Sequence, residues 1–166
     1  MLLFLAAPAM AVGHDHAAHV HGVAKLEVAV DGAALHVHLE SPLEALLGFE
    51  HAPRGDKERA EVARMRRALA QGDNLFVPTA AARCKFVSVQ VEAPSLEAQP
   101  PASGQQAHAD LDADFSFTCA QPGQLTGMEV RLADTFPGMR RVDAQVVSAK
   151  GQSAAKLTSK MRYLSW

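Results

Sequence analysis

Apolar and polar residues alternate through residues 20–30 and again through 33–39, with Asp31-Gly32 between the two runs. A period of two is the pattern of a strand with one buried face, and Asp-Gly between two such runs predicts a two-residue hairpin. With Asp31 and Gly32 as the turn, cross-strand partners sum to 63, so Val28 faces Leu35, Leu26 faces Val37 and Ala24 faces Leu39. The other side then carries Glu27 with His36 and Lys25 with His38. The apolar side is expected to pack inward and to leave His36 and His38 on the polar side.

The period changes after residue 41. Ser41-Pro42-Leu43-Glu44 reads as an N-cap, a first-turn proline and a capping-box carboxylate, which predicts a short helix ending at Gly48. Phe49-Glu50-His51-Ala52-Pro53 is a turn, and Asp56 is expected to cap a second helix running to Gln71, with Val62, Met65 and Leu69 buried and Gly72 as its stop. Residues 83–91 and 110–119 alternate again and read as strands. The Pro/Gln/Ser/Ala segment between them, residues 94–107, has no apolar period and is expected to be a flexible loop.

Phe115, Phe117 and Cys119 share one strand face, as do Cys84 and Phe86, so an antiparallel pairing summing to 203 sets Cys84 opposite Cys119. Further strands are expected at residues 128–132 and 141–147, then a Lys150-Gly151 turn and a last strand or pair of strands through Leu157 and Tyr163. The expected class is α+β, mainly antiparallel β-sheet with two helices and one disulfide.

Composition narrows the function. With 16 Lys+Arg against 18 Asp+Glu, the net charge of -2 offers no general attraction to nucleic acid or anionic lipid. Arg59, Arg64, Arg66 and Arg67 on the second helix read as a solvated face rather than a nucleic-acid surface. No apolar run is long enough to span a bilayer. The apolar stretch at residues 2–5, followed by Pro8-Ala9-Met10-Ala11, predicts a signal peptide over residues 1–11 with cleavage after Ala11. The basic segment that usually opens such a leader is missing, as expected of a start inside a longer natural leader. Export and a Cys84–Cys119 disulfide support each other, since paired cysteines belong to oxidising compartments. No cysteine stands at the cleavage point, so no lipid anchor is expected, and the exported chain is expected to be soluble.

The expected organisation is then a leader, a His-rich segment over residues 12–21 and one α+β domain over residues 22–166. Four of the eight histidines, His14, His16, His19 and His21, fall in that segment beside Asp15. Neutral imidazole suits Zn²⁺, Cu²⁺ and Ni²⁺, and a tetrahedral zinc site takes three or four such ligands. If His19 and His21 enter the strand, they point to the same side and can share one ion. The competing reading is a solvated His-rich tail that binds metal only incidentally. If Val12-Gly13-His14 becomes the mature terminus, its amine, two amide nitrogens and imidazole make a square-planar set for Cu²⁺ or Ni²⁺.

His36 and His38 repeat the His-x-His spacing as weaker metal candidates. Four strand residues at about 3.3 Å each put His38 roughly 13 Å from His21, too far to share an ion. A cation beside Lys25 is also disfavoured, although Glu40 on the same face can help. His51 is expected to be either a hydrogen-bonded loop residue or a further ligand. His108, Asp110, Asp112 and Asp114 alternate onto one face that can hold a divalent ion weakly, or that keeps an edge strand soluble by its charge. There is no His-Glu-x-x-His, Cys-x-x-Cys, Gly-rich phosphate loop or Gly-x-Ser-x-Gly motif, and no enzyme activity is expected.

His19-Val20-His21-Gly22, Gly48-Phe49-Glu50-His51-Ala52-Pro53, Cys84, Cys119, Phe136-Pro137-Gly138 and Lys150-Gly151-Gln152, in that order, resemble the ZrgA-type family of periplasmic zinc-binding proteins. The resemblance covers residues 18–164. It implies a non-catalytic zinc-binding protein of the Gram-negative periplasm that assists zinc acquisition, alongside a zinc uptake transporter. On the matching motif it implies His19 and His21 as ligands, with His51 less directly. Members of this type often carry a long His/Asp-rich insertion before the second cysteine strand, where this chain has residues 94–107 and only His108 at the end, so a smaller zinc capacity is expected. The other class of function is an exported structural or interaction domain whose histidines are incidental.

Overall fold

The computed structural model describes residues 20–97 and 109–166. Two strands, β1 (Val23–Asp31) and β2 (Ala34–Pro42), form the expected hairpin. Its register differs by two residues from the one expected: Leu26 faces Leu39, Val28 faces Val37 and Asp31 faces Ala34, so partners sum to 65. The turn is Gly32-Ala33, with positive φ at Gly32 and not at Ala33. A type II′ turn takes glycine at its first central position, and here it outcompetes the Asp-Gly alternative. A two-residue shift preserves which side chains face the core, so the burial pattern is unchanged although every polar partner differs.

Leu43–Leu47 forms α1, which ends on Gly48 with φ 83°. Ser41 does not cap it. The strand continues through Pro42, and the buried Ser41 hydroxyl donates to the Pro42 carbonyl at 3.2 Å. Asp56–Leu69 forms α2, with Gly55 rather than Asp56 at the N-cap position and with Met65 and Leu69 buried. Its arginines are exposed, and three of them are paired, Arg59 with Asp56, Arg64 with Glu61 and Arg66 with Glu97. Gly72, expected as a stop, instead opens α3 (Gly72–Leu75), which leads into the short strand β3 (Phe76–Pro78).

The two cysteine strands are β4 (Cys84–Glu92) and β5 (Asp110–Cys119). They pair as expected at Cys84/Cys119, Lys85/Thr118 and Phe86/Phe117, and the disulfide is formed. A register shift beyond Phe86 leaves Val87 exposed and moves the later partners by one, as a β-bulge does. Between these strands Pro94–Glu97 is a helical turn, α4, and not part of a loop; the rest of the expected loop lies outside the described residues.

The chain finishes with β6 (Gly127–Val130), α5 (Leu132–Thr135), β7 (Arg141–Ser148), β8 (Gly151–Leu157) and β9 (Tyr163–Ser165). The α+β, sheet-rich class holds, but the described residues carry five helices rather than two. The additional three are single turns of four residues, too short to leave a 3.6-residue period.

A six-stranded sheet has the order β4-β5-β2-β1-β7-β8, and a three-stranded sheet the order β3-β6-β9. All pairings are antiparallel except that of β1 with β7. Leu26 and Val28 of β1, Val37 and Leu39 of β2, Phe115 and Phe117 of β5 and Val146 of β7 point to the core side of the large sheet. There they join Leu46, Met65, Leu69, Phe76 and Phe136 in one apolar cluster, with the Phe76 ring edge-on to Phe115 at 4.8 Å. The intervening positions of β1, β2 and β5 project to the other side of the sheet, and these carry the polar residues that concern function.

Candidate metal centre

His21 lies in a turn before β1, not within a strand, and Val23 N–H closes that turn on the Val20 carbonyl at 2.9 Å. The shared strand face expected for His19 and His21 is therefore absent at His21. His14, His16, His19 and His108 lie outside the described residues. Gly22 has φ 72°, and a Cβ there would stand 2.5 Å from Arg140 Nε and 2.8 Å from the Gly138 carbonyl oxygen. Only glycine fits this position, which accounts physically for the glycine of His-x-His-Gly. Arg140 also donates from its guanidinium to the His21 carbonyl at 2.6 Å, fixing the backbone that carries the imidazole.

The observed ladder ends at Lys25/Glu40, and beyond it the His21 turn lies against Glu44, the first acidic residue of α1. His21 Nδ1 stands 3.5 Å from Glu44 Oε2. That oxygen is buried and makes no hydrogen bond among the described residues, while His21 itself is largely exposed. Glu44 is the carboxylate that sequence reasoning did not assign to metal, because its position after Ser-Pro-Leu explained it as a capping-box residue.

His51 is held separately. Its Nδ1 donates to the Ala52 carbonyl at 3.0 Å and lies 3.8 Å from Glu58 Oε2, while its ring stacks on Phe49 with centroids 5.1 Å apart. Those contacts are those of an ordered loop histidine.

A second group of polar side chains occupies the outer side of the six-stranded sheet. Lys25 faces Glu40, not His38, and its ammonium reaches that carboxylate at 2.9 Å. His38 instead faces Glu27 on one neighbouring strand and Asp114 on the other. Its Nδ1 lies 2.9 Å from Asp114 Oδ1 and its Nε2 lies 3.7 Å from Asp112 Oδ1. His36, two residues along, has Ser116 Oγ at 3.5 Å from Nδ1. Beside them is an open concavity of about 290 Å³, lined by Glu27, His36, His38, Asp114, Ser116 and Gln145 among others.

Asp110, Asp112 and Asp114 share this side, as their alternation predicts, but β5 is not an edge strand; it lies between β4 and β2. Protection of an exposed edge is thus not the reason for their charge. Partial burial holds the Asp112 carboxyl above its ordinary range; His38 opposes that effect, and Glu40, Asp110 and Glu92 add to it. Among the described residues no three His, Cys, Asp or Glu side chains converge closely enough to form a finished cation site. None of the described helices is long and apolar enough to cross a membrane.

The fold and the side chains described define a disulfide-linked α+β domain that carries histidine–carboxylate pairs at His21/Glu44 and His38/Asp114. The description "ZrgA family zinc uptake protein" matches residues 18–166, which is most of the chain, and the protein belongs to that family. No curated protein matches it.

Proposed function

We propose that this chain is an exported zinc-binding protein of the periplasm that captures Zn²⁺ for uptake and performs no catalysis. Membership of a zinc uptake family supports a role in zinc uptake. The observation that carries the finer reading is the pair His21 and Glu44, an exposed imidazole whose Nδ1 stands 3.5 Å from a buried carboxylate oxygen that has no hydrogen-bond partner among the described residues. Imidazole and carboxylate are both ordinary zinc donors. Two donors are too few for tight binding, and the His-rich segment immediately upstream supplies the remainder, with His19 first and His14 or His16 after it. In this reading the folded domain presents part of the site, and histidines of the upstream segment supply the other ligands. Zinc is cargo, and a partner such as an uptake transporter receives it.

Zinc titration of the mature chain without an affinity tag tests the proposal. Wild-type protein binds zinc tightly, and Glu44→Gln weakens that binding at least tenfold. Unchanged affinity in Glu44→Gln removes Glu44 from the site, and an absence of zinc binding in the wild type removes the function.

A further inference from the structure

The outer side of the large sheet holds a second arrangement of donors, more than 15 residues along the chain from the His-rich segment. His38 has both ring nitrogens turned toward carboxylates, Nδ1 to Asp114 at 2.9 Å and Nε2 to Asp112 at 3.7 Å. When Asp114 accepts a hydrogen bond from Nδ1–H, as the shorter distance favours, the neutral ring has its proton on Nδ1 and its lone pair on Nε2. That lone pair then faces the Asp112 carboxylate, so two electron-rich atoms look at each other across a gap longer than a hydrogen bond. Such a gap is stabilised by a cation between the two atoms.

We propose that His38 Nε2 and Asp112 Oδ1 form a second, open site for a divalent transition-metal ion of the Zn²⁺ class. Asp114 acts as a positioning residue that fixes the His38 tautomer. Two ligands about 2.0–2.1 Å from one tetrahedral ion stand about 3.3–3.4 Å apart, so the observed separation needs to close by only a few tenths of an ångström. A carboxylate hydrogen-bonded to the far nitrogen of a ligating histidine is the usual support of such a ligand.

Three features of the fold favour a cation here. His38, Asp112 and Asp114 sit on β2 and β5, adjacent strands in the interior of the sheet, so their relative positions are fixed by backbone pairing. Lys25 is directed to Glu40 and leaves His38 facing Glu27 and Asp114. Glu40, Asp110 and Glu92 add negative potential around Asp112. With two protein ligands, water fills the other positions from the adjoining concavity, which makes the ion weakly held and readily exchanged. A labile surface site beside a tighter one suits an ion that must be passed on.

This site is independent of the pair at His21, and one experiment separates them. Zinc is titrated calorimetrically at pH 7.5 into the chain carrying His14→Ala, His16→Ala, His19→Ala and His21→Ala, and into the same chain carrying in addition His38→Ala or Asp112→Asn. Far-ultraviolet circular dichroism verifies that each variant is folded. The fourfold variant retains one weak zinc equivalent, and either further substitution weakens it at least tenfold. An isotherm indifferent to both further substitutions, or a fourfold variant that binds no zinc, overturns the second site. A fourfold variant that binds zinc as tightly as wild type, with or without His38, instead overturns the proposed His-rich site.

Discussion

His21 Nδ1 faces the buried Oε2 of Glu44 at 3.5 Å, and this contact joins the segment before the first strand to the first turn of the first helix. The hairpin turns at Gly32-Ala33, and its ladder ends at Lys25/Glu40, short of both residues.

Metal at this contact must compete with protons for imidazole, whose ordinary pKa is about 6.5. Zinc affinity is therefore expected to fall steeply below about pH 6, with a slope that grows with the number of histidines engaged. Titrations between pH 5 and 8 check this, and an affinity flat across that range argues against histidine ligands.

Gly22→Ala tests the link between backbone and ligand. The added methyl would enter the space of Arg140 Nε at 2.5 Å and of the Gly138 carbonyl at 2.8 Å, on a backbone of positive φ. A loss of about 1–3 kcal/mol in unfolding free energy is expected, together with weaker zinc binding as His21 is displaced. Chemical denaturation measures the first effect and zinc titration the second. A fully stable Gly22→Ala protein contradicts the geometry described for this turn.

Asp112→Asn should stabilise the metal-free protein and weaken the second zinc site. Burial, helped by Glu40, Asp110 and Glu92 and opposed by His38, raises the folded-state pKa of Asp112 above its ordinary value of 3.8, so its ionised form destabilises the fold at neutral pH. That penalty is relieved as pH falls through the raised pKa toward the unfolded value, because the folded state then binds the proton more strongly. Asp112 is about half exposed, and solvent screening limits the gain from Asn to about 0.5 kcal/mol, or 1–2 °C in Tm at pH 7. The difference from wild type should shrink as the pH is lowered toward 4. Thermal unfolding at several pH values, with metal removed by a chelator, checks the sign.

Reduction of the Cys84–Cys119 disulfide should cost much of the stability. The bridge spans a sequence separation of 35 residues, and closing a loop of that length restricts the unfolded chain by about 4 kcal/mol in the chain-entropy account. A Cys84→Ser, Cys119→Ser double variant is expected to unfold at clearly lower denaturant concentration than wild type. Equal midpoints would show that the bridge contributes little.

The strands were legible because their side chains alternate, and the Cys84/Cys119 pairing because Phe86/Phe117 agrees with it in register. The hairpin register was not. Turns at Asp31-Gly32 and Gly32-Ala33 bury the same residues, so alternation cannot separate them, and the choice depends on which turn position takes the positive φ of Gly32. That two-residue difference placed Lys25 wrongly against His38, while Glu44 was hidden by its reading as a capping-box residue. The parallel pairing of β1 with β7 and the small β3-β6-β9 sheet involve residues far apart in sequence with no turn between them, and local pattern carries no trace of either. The acidic stripe on β5 was visible in sequence, but its meaning changed once β4 took the edge and β5 the interior.

The most direct test of the central claim is calorimetric titration of Zn²⁺ into the tagless mature chain, comparing wild type with a His19→Ala, His21→Ala double variant and a His36→Ala, His38→Ala double variant. The account predicts that the first pair weakens the tight zinc event at least tenfold, about 1.4 kcal/mol, and leaves the thermal stability of the metal-free domain nearly unchanged. The second pair should remove only a weaker event. Loss of the tight event in the His36→Ala, His38→Ala variant alone, or no zinc binding by the wild type, would contradict it.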